Sequence, residues 1–533
     1  MSLSSASTDN AVAYVNGRVY TINPASPWAE AFIVSPSGTF TVVGSNSSIL
    51  ETAKAEGLVT YDLRDSFVMP GIHDAHMHIH HSGLAQLNEP VIGMDATVKT
   101  LAEKLKEGSC ACDYAHVHED WILGHSVGVE NYDRSYLDKT FPEIPVIIRT
   151  GGGHGMYLNT EALKRAGYDL QNEVETNGKR FLRREDGSLT GEVYETAMAK
   201  ASLALPKPAV AHVKRAILKA LRVAHSVGVT SVQEAGINSI ALQALSELEN
   251  EGLLQTDVAT HIVHNVEFLA QEPISELERL IDRANDFKSK HVDTNFVKFA
   301  IDGVPLPPLM TQCGLDEHGN IEENKLTMAE RDFEETLARY DARGMTIKIH
   351  ACGAGSVRRS LDAIEKARKK NPTGPRHEVA HCNVVHENDY ARFAKLNVTA
   401  EMSPAFFFGH PLTQGFKDVL DWDFVKLADA GAHITVGSDW GGFFDPSLIV
   451  AGANAVERVG KGSKERGGEL LCRYLTLAGA EAVGKQNERG SIEVGKKASF
   501  IAVDKDLSKG EFDGASVTKT WFEGNLVWEK PKP

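Results

Sequence analysis

The central part of the chain alternates short apolar segments with amphipathic helical segments, and this alternation constrains the fold more than any other feature. The apolar segments are typical of buried strands, and eight of them lie at residues 67–72, 228–232, 258–263, 296–300, 346–350, 377–381, 398–402 and 433–437. Helical segments with apolar residues at three- and four-residue spacing lie between them, at 214–226, 328–342, 357–369 and 424–430. The pattern predicts an α/β fold, specifically a (β/α)8 TIM-like barrel.

Both ends of the chain have a different texture, with short strands separated by turns. Asn16-Gly17 is a strong hairpin signal between residues 12–15 and 18–22, and strand-like segments return at 499–503 and 517–528. We predict that residues 1–65 and 485–533 form one small composite β-sandwich, and that residues 66–484 form the barrel.

One strand-like segment, residues 145–150, is left over from the eight. We assign it to an insertion, residues 83–206, between the first and second barrel strands. Such an insertion would emerge above the carboxyl ends of the strands and form part of a substrate pocket or lid.

Composition restricts the classes of function. The chain has 533 residues, enough for a large barrel and a smaller module, and its formal charge of −16 argues against nucleic acid or an anionic membrane surface as a partner. Among six cysteines only Cys110 and Cys112 are close in sequence, which is typical of a reducing compartment. No signal peptide or membrane-spanning run is visible. We therefore expect a soluble, cytoplasmic protein.

Two histidines follow the first predicted strand. Side chains two residues apart on an extended chain share a face, so His76 and His78 should lie about 7 Å apart along the strand. Two neutral imidazoles on one rigid element can hold a divalent cation. The alternative is a histidine-rich surface turn, because His80 and His81 follow at once.

Further candidates lie at the ends of other predicted strands. Lys298 is in the fourth strand, His350 and His381 end the fifth and sixth, and Asp439 follows the eighth in Gly-Ser-Asp-Trp. Each alone is compatible with an ordinary rim or turn residue. Active sites of such barrels lie at the carboxyl ends of the strands, so their convergence on that end indicates a common site.

These motifs resemble the metal-dependent amidohydrolase superfamily, in particular its YtcJ-like branch, which includes N-substituted formamide deformylases. The matching segments are 16–21, 69–78, 296–303, His350, His381, 437–439 and 490–496, together with His154, Asn159, Leu163 and 191–195 in the insertion. His73 and Ala75 differ from the commoner residues of the family's first-strand motif, but they flank the histidines and remove neither.

The resemblance implies a centre with one or two divalent cations per chain, most plausibly zinc. It places the first cation on His76, His78 and Asp439, and the second on His350 and His381. Lys298, carboxylated on its side-chain nitrogen, would bridge the two, since burial near cations favours the neutral amine that reacts with carbon dioxide.

A second arrangement stays open at this point. Lys298 could remain an ordinary amine that pairs with Asp302 or contacts substrate. The site would then hold one cation on His76, His78, His350 and Asp439, and His381 would bind or polarise the substrate. Glu195 is a further carboxylate near the site whose role the sequence leaves open.

The implied reaction is hydrolysis of a non-peptide C–N bond in a small-molecule substrate, an N-substituted amide or formamide, by water activated on the cation. Asp439 is the candidate general base and acid. His381 or His154 would stabilise the oxyanion; His154 follows a glycine-rich loop and could also be a loop residue without a role. Cys352 and Cys382 are interpreted as small core residues.

Three alternatives use the same site for lactone hydrolysis, ring deamination or decarboxylation, and a fourth is a substrate-binding relative without catalysis. The resemblance also suggests a homodimer.

Overall fold

Eight parallel strands form a closed barrel in the computed structural model, which describes residues 10–93, 96–108, 120–126, 128–176, 178–307, 309–409, 413–442 and 445–532. In chain order the strands are β1 (Ile72–Met77), β2 (Val229–Ile237), β3 (Asp257–Val263), β4 (Val292–Ala300), β5 (Thr346–Ala351), β6 (Glu378–His381), β7 (Thr399–Met402) and β8 (His433–Val436). Just beyond β8, the Asp439 N–H donates to the His76 carbonyl at 2.7 Å and closes the barrel. The predicted (β/α)8 barrel is confirmed.

Amphipathic helices cover the outside of the barrel. The helix Val210–Ser226, for example, buries Val213, Ile217 and Leu221 at four-residue spacing. The barrel helices are Ile79–Asn88, Val210–Ser226, Ser239–Asn250, Glu267–Ala270, Ile274–Asp282, Glu330–Ala342, Ala354–Lys370, Tyr390–Lys395, Phe424–Asp429, Leu448–Val459, Lys464–Tyr474 and Leu477–Ala482. No helix in the described part of the chain is long and apolar enough to cross a membrane.

Both termini build one small sandwich, as predicted. Its six-stranded sheet has the order Asn525–Glu529, Val517–Phe522, Phe500–Val503, Phe67–Pro70, Arg18–Tyr20 and Trp28–Ala29. Its four-stranded sheet has the order Phe40–Gly44, Ala31–Val34, Val12–Val15 and Val59–Asp62, with the helix Asn46–Glu56 beside it. Aromatic side chains fill the core, where Phe500 stacks on Trp521 at a ring separation of 4.6 Å.

The apolar segment 67–72, predicted as a single barrel strand, is divided between the two domains. Phe67–Pro70 pairs antiparallel with Phe500–Val503 in the sandwich, and β1 starts only at Ile72. Gly71 separates them: its N–H donates to the Ser499 carbonyl, and a Cβ there would lie 2.1 Å from the Thr230 hydroxyl. The prediction of one strand was wrong because both halves are equally apolar and buried.

The insertion forms its own mixed sheet between the helices Ile79–Asn88 and Val210–Ser226. The strand order is Lys179–Arg183, Leu189–Glu195, Gly155–Leu158, Val146–Thr150, Ile122–Ser126 and Val91–Ile92. The short α-helices beside it in the described part of the insertion are Leu101–Gly108, Ser135–Asp138, Thr160–Arg165 and Ala199–Ala204. The leftover segment 145–150 is thus a strand of this sheet, whereas Cys110 and Cys112 lie outside the described residues.

Candidate metal centre

The first group of ligand candidates lies where β1 and β8 meet. His76 is on β1, His78 follows its last residue, and Asp439 follows β8. Asp439 Oδ1 is 3.3 Å from His78 Nε2 and 3.5 Å from His76 Nε2. The hydrogen bond that closes the barrel holds the backbone of Asp439, which has a φ of +52°. Barrel closure therefore sets the spacing of these three side chains.

A second group adjoins the first. The rings of His350, at the end of β5, and His381, at the end of β6, are 4.2 Å apart between centroids. His381 Nδ1 lies 3.8 Å from Asp439 Oδ2. Lys298, on β4, places its Nζ 3.3 Å from His76 Nε2. All seven predicted site residues line one cavity.

Hydrogen bonds to neighbouring side chains orient two of the histidines. His76 Nδ1 lies 2.6 Å from Glu401 Oε2, so Nε2 is the nitrogen that faces Asp439. His381 Nδ1 lies 3.1 Å from the Ser403 hydroxyl. His381 Nε2 is buried and has no hydrogen-bond partner among the described residues. Imidazoles held by such outer partners are typical metal ligands.

The protonation states of these side chains also suit a metal centre. Burial lowers the pKa values of His76, His350 and His381 well below the usual range, so the imidazoles are neutral, as ligands must be. Burial alone would raise the pKa of Asp439, but hydrogen bonding from His78 and nearby charges lower it below its usual value. Neutral imidazoles beside an ionised carboxylate are a donor set that zinc accepts.

Lys298 is almost fully buried. Burial, reinforced by the charge of Lys348, lowers its pKa to about 8. No ion pair joins Lys298 to Asp302 among the described residues, and the choice between a bridging lysine and an ordinary amine stays a prediction. Asp302 instead accepts hydrogen bonds from the backbone N–H groups of Cys313, Cys352 and Gly353.

His154 enters the site from the insertion. Its ring lies 4.9 Å from that of His350, and its Nδ1 is 2.8 Å from Glu195 Oε2. The other oxygen of Glu195 accepts from the Thr311 hydroxyl at 2.6 Å. Burial would lower the pKa of His154, but the adjacent Glu195 carboxylate raises it above its usual value. The sequence left the role of Glu195 open. In the structure, its carboxylate accepts from His154 Nδ1 and holds the ring in place, so His154 is available as a hydrogen-bond donor.

Two chambers meet at the candidate ligands and share His78, His154, His381 and Asp439. The polar residues that line the smaller chamber, about 110 Å³, include His81, Glu89, His125, Arg149 and Gln271. The larger, about 300 Å³, is mainly apolar, with Val304, Pro305, Leu306, Pro404, Phe406, Phe416 and Leu420.

A family model for the amidohydrolase family matches residues 59–528. The chain belongs to the amidohydrolase family. It is 23% identical over 544 residues to the N-substituted formamide deformylase of Arthrobacter pascens, covering 97% of this chain and 98% of the relative. It is also 23% identical over 549 residues to the YtcJ protein of Bacillus subtilis strain 168, covering 96% and 98%. The predicted resemblance is confirmed.

The fold is shared with a crystal structure of an uncharacterized metal-dependent hydrolase from Pyrococcus furiosus. The TM-score is 0.68 at 22% identity, over 94% of this chain and all of that one.

A layer of buried ionisable side chains beneath the ligands of this amidohydrolase was not predicted from the sequence. Lys348 on β5, Glu378 on β6 and Glu401 on β7 are fully buried, and Lys348 Nζ lies 3.3 and 3.8 Å from the two carboxylates. Lys348 also donates to the Ala75 carbonyl, next to His76, at 2.7 Å. A charged residue inside an otherwise apolar strand was the available signal.

Proposed function

We propose that this amidohydrolase is a zinc-dependent enzyme that hydrolyses the C–N bond of small N-substituted amides or formamides. The observation that carries the proposal is that neutral imidazoles and one carboxylate from β1, β5, β6 and β8 converge where an apolar chamber opens. The relative named N-substituted formamide deformylase supports this choice of substrate.

His76, His78 and Asp439 would hold one cation, and His350 and His381 a second. A cation bound there would lower the pKa of a water molecule and polarise a carbonyl oxygen. Lys298 would bridge the two sets. In support, its Nζ lies 3.3 Å from His76 Nε2, and its pKa of about 8 leaves part of the amine neutral and reactive toward carbon dioxide.

Asp439 would take a proton from the attacking water and deliver it to the leaving nitrogen. Its low pKa and its contacts with His76 and His78 keep it ionised and oriented before the reaction. His154, held by Glu195 through Nδ1, would donate to the developing oxyanion.

The larger chamber suggests where the substituent binds. Its apolar lining would favour an alkyl or aryl group and exclude water from the bond that breaks. Leu306→Ala should lower kcat/KM for bulky N-substituted substrates by about tenfold, because apolar contact is lost. Leu309→Ala is a matched control, since Leu309 is 37% exposed; an equal loss in both variants would contradict the proposed binding mode.

The decisive experiment combines elemental analysis with a substrate panel. Protein purified without chelator and with bicarbonate should contain close to two zinc ions per chain and release amine from N-alkyl or N-aryl formamides. A value near one would refute the bridging role of Lys298 and make His381 a substrate-polarising group. Protein that binds no metal, or that hydrolyses lactones but no amide, would refute the proposed function.

A further inference from the structure

Cys352 lies among the candidate ligands although its sequence context suggested a core residue. It follows β5 two positions after His350, and its Sγ lies 3.4 Å from His350 Nε2. The residue is 2% exposed and lines the larger chamber beside His381 and Asp439. The thiol therefore faces the site, on the side of the second histidine pair.

A second observation, independent of the position of Cys352, concerns His381. One ligand atom from each of His350, Cys352 and His381 lies within 4.8 Å of the others. His381 Nε2 is buried without a hydrogen-bond partner among the described residues. An unsatisfied buried nitrogen is costly, and a cation shared with the neighbouring ring and thiol would satisfy it.

Two other buried cysteines near the barrel rim differ from Cys352. Cys382 directly follows His381, but its thiol donates to the Val379 carbonyl at 3.2 Å, within its own strand. The Cys313 thiol donates to the Glu322 carbonyl at 3.4 Å. Cys352 is the one of the three whose sulfur contacts a candidate ligand nitrogen.

We propose that Cys352 is a thiolate ligand of the second cation, together with His350 and His381. This inference rests on the proposed function, because it assumes that the centre is loaded with metal. A set of two histidines and one cysteine would favour zinc over magnesium or manganese, because thiolate and imidazole are ligands that zinc prefers. On binding, the thiol proton is released to solvent as the sulfur–metal bond forms.

The test is spectroscopic. Full-length protein loaded with Co²⁺ should show a sulfur-to-cobalt charge-transfer band in the near ultraviolet. The band should disappear in Cys352→Ser and persist in Cys382→Ser, a matched control beside the other histidine. X-ray absorption of the unmodified zinc protein should show a sulfur neighbour at about 2.3 Å, which keeps the proposal testable if Cys352→Ser does not fold.

The outcomes separate this inference from the proposed function. Two bound cobalt ions without a charge-transfer band would overturn the role of Cys352 and leave the proposed function standing. A band that disappears in Cys382→Ser instead would also overturn it. Failure to bind any metal would refute both.

Discussion

Two clusters of histidine and carboxylate side chains lie at opposite ends of the barrel. At the carboxyl ends of the strands, His76 and His78 surround Asp439; at the amino ends, Asp257 and His291 adjoin Glu523 from a sandwich turn. In each cluster the candidate ligand atoms lie within 4.8 Å of one another. By residue type and spacing alone, both could bind a cation.

The clusters differ in their compensating charges. Lys497 Nζ lies 2.8 Å from Asp257 and 3.1 Å from Glu523, and Arg489 lies 3.3 Å from Asp257. Cationic side chains therefore already neutralise these carboxylates, and the cluster ties the barrel to the sandwich.

Asp439 has a different environment. Among the described residues, the ion-pair partners found for Asp439 are the imidazoles of His76, His78 and His381. Burial keeps His76 and His381 neutral. The comparison teaches that similar donor sets can differ in their cations: lysine and arginine pair directly with Asp257 and Glu523, whereas imidazoles contact Asp439.

The largest expected effect is on catalysis. Asp439→Asn should lower kcat/KM by about 10³-fold, since it removes a proton-transferring carboxylate, while leaving the fold intact. Steady-state hydrolysis of an N-substituted formamide measures the loss, and circular dichroism monitors the fold. Glu523→Gln is the comparison variant and should retain activity at pH 7. Equal losses of activity in both variants would contradict the assignment of catalysis to the Asp439 cluster alone.

A smaller effect should follow from the residue behind His76. Glu401→Gln should weaken metal binding by about 10–100-fold, because the carboxylate that accepts from Nδ1 and orients the ring is replaced by an amide. Competition with a chelator measures the affinity. An affinity equal to that of the unmodified protein would show that the ring is oriented by other contacts.

The barrel was predictable from sequence because each strand is a local apolar segment and each ligand candidate lies at or near the carboxyl end of a strand. The break at Gly71 was not, since it depends on pairing between Phe67–Pro70 and Phe500–Val503, more than four hundred residues later. The contact between Glu401 and His76 joins residues 325 apart. Cys352 was assigned to the core because a sequence does not show which way a thiol points after a strand ends.

The cluster at the amino ends of the strands, Asp257, His291 and Glu523, should affect stability instead of catalysis. Burial alone would raise the pKa of Glu523, but hydrogen bonds from His291 and Lys290 lower it from 4.5 to about 2. A carboxylate whose pKa is depressed by folding stabilises the protein above its usual pKa and loses that contribution as the pH falls through its folded value. Glu523→Gln should therefore cost about 1.5 kcal/mol at pH 7.

Urea unfolding from pH 7 downward measures this dependence. The difference between Glu523→Gln and the unmodified protein should shrink as the pH falls from 4.5 toward 2. A difference that does not change with pH would show that lost packing, not the charge, accounts for the effect.

The smallest effect is expected at an ion pair of the same sandwich sheet that lacks this burial. Lys519 Nζ lies 3.1 Å from Glu529 Oε1, but the two side chains are 29% and 51% exposed. Solvent screens such a pair, so Glu529→Gln should change the free energy of unfolding by less than about 0.5 kcal/mol. The same urea titration compares it directly with Glu523→Gln. Equal losses would show that the number of ion pairs, and not their burial, explains these contributions to stability.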